Sequence, residues 1–183
     1  AAMLITAFGW LAPAQAGDIV EKAEEAEARL AAGDARGAHD ALREAYRVLW
    51  TSGPLFMRRV VPVTEPAVAY GAFEARENTV YSGNEPIRLY IEPVGYSWLE
   101  RDGGFSIGFD VDVEITAESG AVIWGRKDIF AFEQALVEPT FEFFETLTFD
   151  FAGLPAGDYE IVTTLRDQAS EKSVTFNTAI TIE

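Results

Sequence analysis

The chain has 183 residues, is 49% hydrophobic and 13% aromatic, and carries a net charge of −16. That apolar content excludes an intrinsically disordered chain, and that charge opposes binding to phosphate backbones or anionic lipid surfaces, which are held by Lys and Arg. The absence of cysteine removes disulfides, thiolate metal sites, Cys nucleophiles and a lipidated N-terminal Cys together.

The charge is uneven. Residues 17–50 hold eight acids and five bases, and residues 65–183 hold twenty-two acids and seven bases. The acidity is therefore concentrated in the second part, where it favours cations or basic partners.

Residues 1–14 are apolar and uncharged, and Ala14-Gln15-Ala16 follows with small residues at both ends of the triplet. The run is too short to span a bilayer and matches the apolar region and cleavage site of a signal peptide. Residues 1–16 are thus expected to be a truncated leader, cleaved to leave Gly17 first. The mature chain is expected to be periplasmic or secreted, soluble and without a membrane span.

A helical hairpin is expected over 17–53. Asp18 is placed as a cap, with Ile19, Ala23, Ala26 and Leu30 at helical spacing on one face. Gly33-Asp34 breaks the pattern. A second helix follows with Ala38, Ala41, Leu42, Ala45, Val48 and Leu49 on one side, stopped by Ser52-Gly53-Pro54. The spacing from Ala26 through Leu30-Ala-Ala-Gly-Asp34 to Ala38, Ala41 and Leu42 resembles a single tetratricopeptide-like unit. One such unit cannot bury its own apolar face, so the hairpin is expected to pack on the rest of the chain or on a partner. Residues 54–68 read as a linker.

From 69 to 183 the period becomes two. Phe105, Ile107, Phe109, Val111, Val113 and Ile115 alternate with polar residues, giving a strand with one dry and one wet face. Phe141, Phe143, Leu147, Phe149 and Phe151 repeat the pattern, as do Tyr159, Ile161, Thr163 and Leu165. Val174, Phe176, Ile180 and Ile182 close the chain. Further strand-like runs occupy 69–76, 87–94 and 122–132. Turn residues separate these runs at 82–84, 102–104, 119–120, 154–158 and 167–172. The fold expected is mainly β: an antiparallel sandwich of about seven to eight strands, with a small barrel as the alternative.

Leu154-Pro-Ala-Gly-Asp-Tyr-Glu-Ile161, Leu165-Arg-Asp167 and Ser170 to Phe176 look like the final hairpin of many bacterial immunoglobulin-like domains. Tyr81 to Trp98 is similar to the early strands of uncharacterised exported proteins of that type. The resemblance implies an immunoglobulin-like sandwich, with Tyr159 as a tyrosine corner whose hydroxyl bonds nearby backbone.

No nucleophile–base pairing or phosphate-loop motif stands out, and the single His39 reads as a solvated helix residue. No cofactor is expected. Asp110, Asp112 and Glu114 share one strand face at about 6–7 Å intervals. They form a weak alternative metal site, or else a polar face that needs a cross-strand Lys or Arg. Tyr90, Tyr96, Trp98 and Phe144 are the candidate contacts for a ligand or partner, as aromatics on or near polar positions. The sequence thus points to a non-catalytic exported binding or assembly module, its partner another exported or envelope protein and not nucleic acid. The alternatives are a carbohydrate- or cation-binding accessory domain and, third, an enzyme with an unrecognised carboxylate site.

Overall fold

A computed structural model describes residues 13–151 and 153–183. The expected leader therefore lies largely outside the described residues. The chain divides into two compact units between Pro54 and Leu55.

The first unit is a helical hairpin of α1 (Pro13–Ala31) and α2 (Ala35–Ser52). Gly33 sits in the turn with φ +83°, a left-handed conformation that glycine adopts without a Cβ clash. Asp34 caps α2, its carboxylate accepting from the Gly37 amide at 2.9 Å. Asp18, expected as a cap, lies inside α1 instead, because α1 begins at Pro13. The buried positions are Ala26, Ala38, Ala41 and Ala45, with Trp50 beyond them. Leu30, Leu42 and Leu49 are exposed, contrary to their expected place on the packed face. The physical reason is size. The stripe of alanines lets two helices approach closely, and Leu42 lies about 100° round the helix from Ala41.

The second unit is mainly β. One sheet has three antiparallel strands in the order β1 (Phe56–Pro62), β3 (Ile87–Val94), β7 (Glu145–Phe149). The other runs β2 (Val80–Tyr81), β9 (Ser173–Ile182), β8 (Gly157–Asp167), β5 (Gly104–Ala117), β4 (Leu99–Arg101). The long strand β6 (Val122–Leu136) pairs with the edge of β5 opposite β8. This larger sheet curls as half a barrel.

Three expectations are corrected. Residues 56–62, within the expected linker, form β1 and pair with β3. Residues 69–76 make isolated bridges only, Val63 with Ala75 and Ala69 with Ala72, since Gly71 turns the chain at φ +71°. The pairing is not wholly antiparallel, because β2 runs parallel to β9.

The period-two reading of β5 holds: Ile107, Phe109, Val111, Val113 and Ile115 are all buried. Phe109 meets Phe132 and Phe143 at centroid distances of 5.6 and 5.7 Å, and Phe130 of β6 meets Phe149 of β7 at 5.7 Å. These contacts join the larger sheet to the smaller one in a shared aromatic core, where edge and tilted packing adds to area burial. The corner expected at Tyr159 forms as well, the hydroxyl donating to the Pro155 carbonyl at 2.9 Å.

The opposite face of β3 is covered from within the same unit. Residues 63–78 lie over it, and Phe73 stacks on Tyr90 at 4.3 Å with Phe144 on it at 5.7 Å. Beside them is a buried carboxylate, Glu92. It accepts from the Tyr90 hydroxyl at 2.6 Å and from Arg58 at 3.1 Å, and Arg59 stands 3.4 Å away. A buried polar group is tolerated when its oxygens are hydrogen-bonded in this way.

Candidate binding site

Three regions bear on function. The first is the acidic strand. In register, Asp110 of β5 faces Arg166 of β8, and Asp112 faces Thr164. Arg166 reaches diagonally and forks onto Asp112, with Nε to Oδ2 at 3.1 Å and Nη2 to Oδ1 at 3.0 Å. Its Nη1 stands 3.9 Å from Asp110. Between Val111 and Val113 the pairing with β6 shifts by two residues, and Asp128 adopts φ +52° in that bulge. The bulge brings the Asp128 amide to Asp112 at 2.8 Å and its carboxylate onto Arg166. Gln168 donates to Asp110 at 2.8 Å. Burial alone would raise the Asp112 carboxyl, but the Arg166 and Asp128 hydrogen bonds outweigh it and hold it below its ordinary value. The cross-strand cation that these carboxylates need is thus supplied by Arg166. Among the described residues no group of three or more His, Cys, Asp or Glu side chains converges as a metal cage. Glu114 is exposed and lines a hollow together with Asp112, Arg126 and Lys127.

The second region holds the aromatic candidates. Tyr90 and Tyr96 are fully buried, so neither presents a ring to an outside molecule. Phe73 and Phe144 both stack on Tyr90, and Tyr96 meets Phe109 and Phe143. Tyr96 and Trp98 both donate to the Thr140 carbonyl, at 2.9 and 3.0 Å, and their rings stand edge-on at 79°. Trp98 and Phe144 are half-buried. These four residues do not converge: Tyr96 and Trp98 pin the 139–144 segment, while Tyr90 and Phe144 belong to the covered face of β3. Nearby, Asp167 ties loops together, accepting from the amides of Ser97 and Ala169 at 2.9 Å each and from the Ser170 hydroxyl at 2.6 Å. His39 is exposed on α2, 3.8 Å from Asp40.

The third region is an apolar cleft of about 590 Å³ at the end of β5 and β6. Its walls include Ile115, Ile123, Trp124, Phe151, Leu154 and Tyr159. The Trp124 ring meets Phe151 edge-on at 5.7 Å, and Phe151 stacks on Phe149 at 5.5 Å. Val122, Ile123 and Trp124 are 58%, 47% and 37% exposed. Three consecutive apolar residues in an exposed strand break the alternation expected of a half-buried one, and that run was the signal in the sequence for this site.

Among solved structures, the chain is similar to the sporulation control protein Spo0M from Bacillus subtilis, at 14% identity and a TM-score of 0.38. The match covers 72% of this chain and 50% of that one, so the chain spans about half the length of that protein. No family model matches the sequence, and no curated protein matches it.

Proposed function

We propose that the protein is a non-catalytic binding or assembly module, exported to the periplasm or beyond, that works through contacts with another exported or envelope protein. Its β unit is read as an immunoglobulin-like sandwich, supported by the shared core of the two sheets and the Tyr159 corner. Export is supported by the uncharged apolar run and Ala14-Gln15-Ala16.

The observation that carries the protein-contact reading is the exposed apolar run Val122-Ile-Trp124 on β6. Among the described residues, no strand pairs with the far edge of β6. A free edge offers unpaired backbone N–H and C=O groups, and exposed apolar side chains beside it mark a contact surface. The sugar-binding alternative draws less support, because Tyr96 and Trp98 are edge-on instead of coplanar. The cation alternative draws less support because Arg166 lies among the carboxylates.

A photo-crosslinking residue placed at position 122 tests this in cells of the native host, with position 177, exposed on β9, as the control. The expected result is one exported protein crosslinked from 122 and not from 177. Identical products from both positions, or none from either, would count against the proposal.

A further inference from the structure

We infer that the cleft beside Trp124 receives an apolar side chain from an extended, positively charged polypeptide segment. The inference rests on the protein-contact reading and adds where the partner is gripped and what chemistry it carries.

The cleft is built before anything binds. Phe151 is held from beneath by Phe149 of the core, and Trp124 is held against Phe151. The Tyr159 hydroxyl is already engaged with Pro155, so its ring is fixed as a wall. Preorganised aromatic walls lower the ordering cost of binding. The volume of about 590 Å³ accommodates a large aliphatic or aromatic side chain with room to spare.

Charge then selects the partner. Asp150 lines the cleft and is exposed. An adjoining hollow shares Ala117 and Tyr159 with it and is lined by Glu118, Asp158 and Glu160. Neither hollow has a Lys or Arg in its lining. An apolar pocket with one carboxylate in its own lining and three in the hollow beside it is complementary to an apolar residue flanked by Lys or Arg, and it repels an acidic segment. The extended form follows from β6. Ile123 and Trp124 belong both to the cleft wall and to the strand with the free edge. A segment pairing with that edge therefore directs alternate side chains toward the cleft.

The test is a titration of the full chain with the peptide Lys-Val-Lys-Phe-Lys-Val-Lys, its Glu-for-Lys counterpart, and a neutral hexasaccharide. The readout is the indole N–H signal of Trp124 in an NMR spectrum, assigned with Trp124→Phe. The cationic peptide is expected to shift that signal and the other two ligands to leave it in place. Trp124→Ala, which lacks the reporter and is followed by titration calorimetry with the same cationic peptide, is expected to weaken binding about tenfold or more, as truncation of a central anchor does. Asp150→Asn with Glu160→Gln keeps the rings and is expected to weaken binding severalfold. It should also flatten the loss of affinity between about 0.05 and about 0.5 M salt. Equal binding of the two peptides, or a shift with the saccharide alone, overturns the inference. Failure of the cationic peptide while position 122 still crosslinks a partner removes this inference and leaves the broader reading standing. Failure of both experiments removes both.

Discussion

Arg166 and Tyr90 show how much the neighbours of a residue decide. Arg166 forks onto Asp112 and also reaches Asp128, so the wet face of β5 carries its own counter-charge. The Asp112 carboxyl lies below its ordinary value in the folded chain. The folded state then binds this proton less readily than the unfolded state does. The resulting stability is present above about pH 4 and is lost as pH falls through the lower folded value. Asp112→Asn is therefore expected to flatten the fall of melting temperature in acid. An acid slope equal to that of the wild type would refute this. Tyr90 works in the opposite sense. Burial, then its hydrogen bond to Glu92, push its hydroxyl up to about 12. Its contribution is present below about pH 10 and is lost as pH climbs through the raised value. Tyr90→Phe removes a partner from both the Gly71 amide, which donates to that hydroxyl at 2.8 Å, and the buried Glu92. It should cost about 1–3 kcal/mol in urea unfolding, and an unchanged midpoint would show that water replaces the hydroxyl. The need for a basic partner opposite Asp110 and Asp112 was legible in the sequence. Its identity was not, because only the strand register brings Arg166 diagonally across from Asp112.

Among the elements, α2 and β1 differ most from their sequence patterns. In α2 the buried stripe is Ala38, Ala41 and Ala45, and the larger Leu42 beside it is exposed. Ala41→Leu is expected to force the helices apart at a cost of about 1–3 kcal/mol. Leu42→Ala is expected to stay within about 0.5 kcal/mol, as surface changes do. Helical circular dichroism during denaturant unfolding separates the two, and equal effects would disprove an alanine seam. Hydrophobicity alone ranks Leu above Ala, so the sequence pattern could not show which stripe the closer approach selects. β1 was hidden for another reason. The register shifts between Met57 and Arg59, and the adjacent Arg58 and Arg59 interrupt any alternation. β8 was legible because its buried positions alternate from Ile161 to Asp167, and β5 because its apolar residues fall at every second position from Phe105 to Ile115, although Ser106 and Gly108 between them are buried as well. The strand 69–76 was read from apolar composition, and Gly71 overrides it.

In the molecule as a whole, the mainly β body followed from the change of hydrophobic period, but that change was placed at 69 and the two units divide between Pro54 and Leu55. The order β2-β9-β8-β5 did not, since neighbours in a sheet need not be neighbours in sequence. The candidate cleft was missed because its walls come from three separated stretches, at 115–124, 150–155 and 159.

The unpaired margin of β6 also has a colloidal consequence. A long strand with a bare edge invites a second copy to stack against it, and proteins hold such edges apart with charge. Here the bulk negative charge of −16 provides that repulsion at neutral pH. Near the isoelectric pH of about 4.4 it vanishes while the edge remains. Light scattering is expected to show reversible self-association there and dispersal at pH 7. Ile123→Lys should suppress it by placing a charge on the edge strand. A protein that stays dispersed at pH 4.4 would mean that the edge is guarded locally, by its bulge and by Arg126 and Lys127 on β6 itself, and not by net charge.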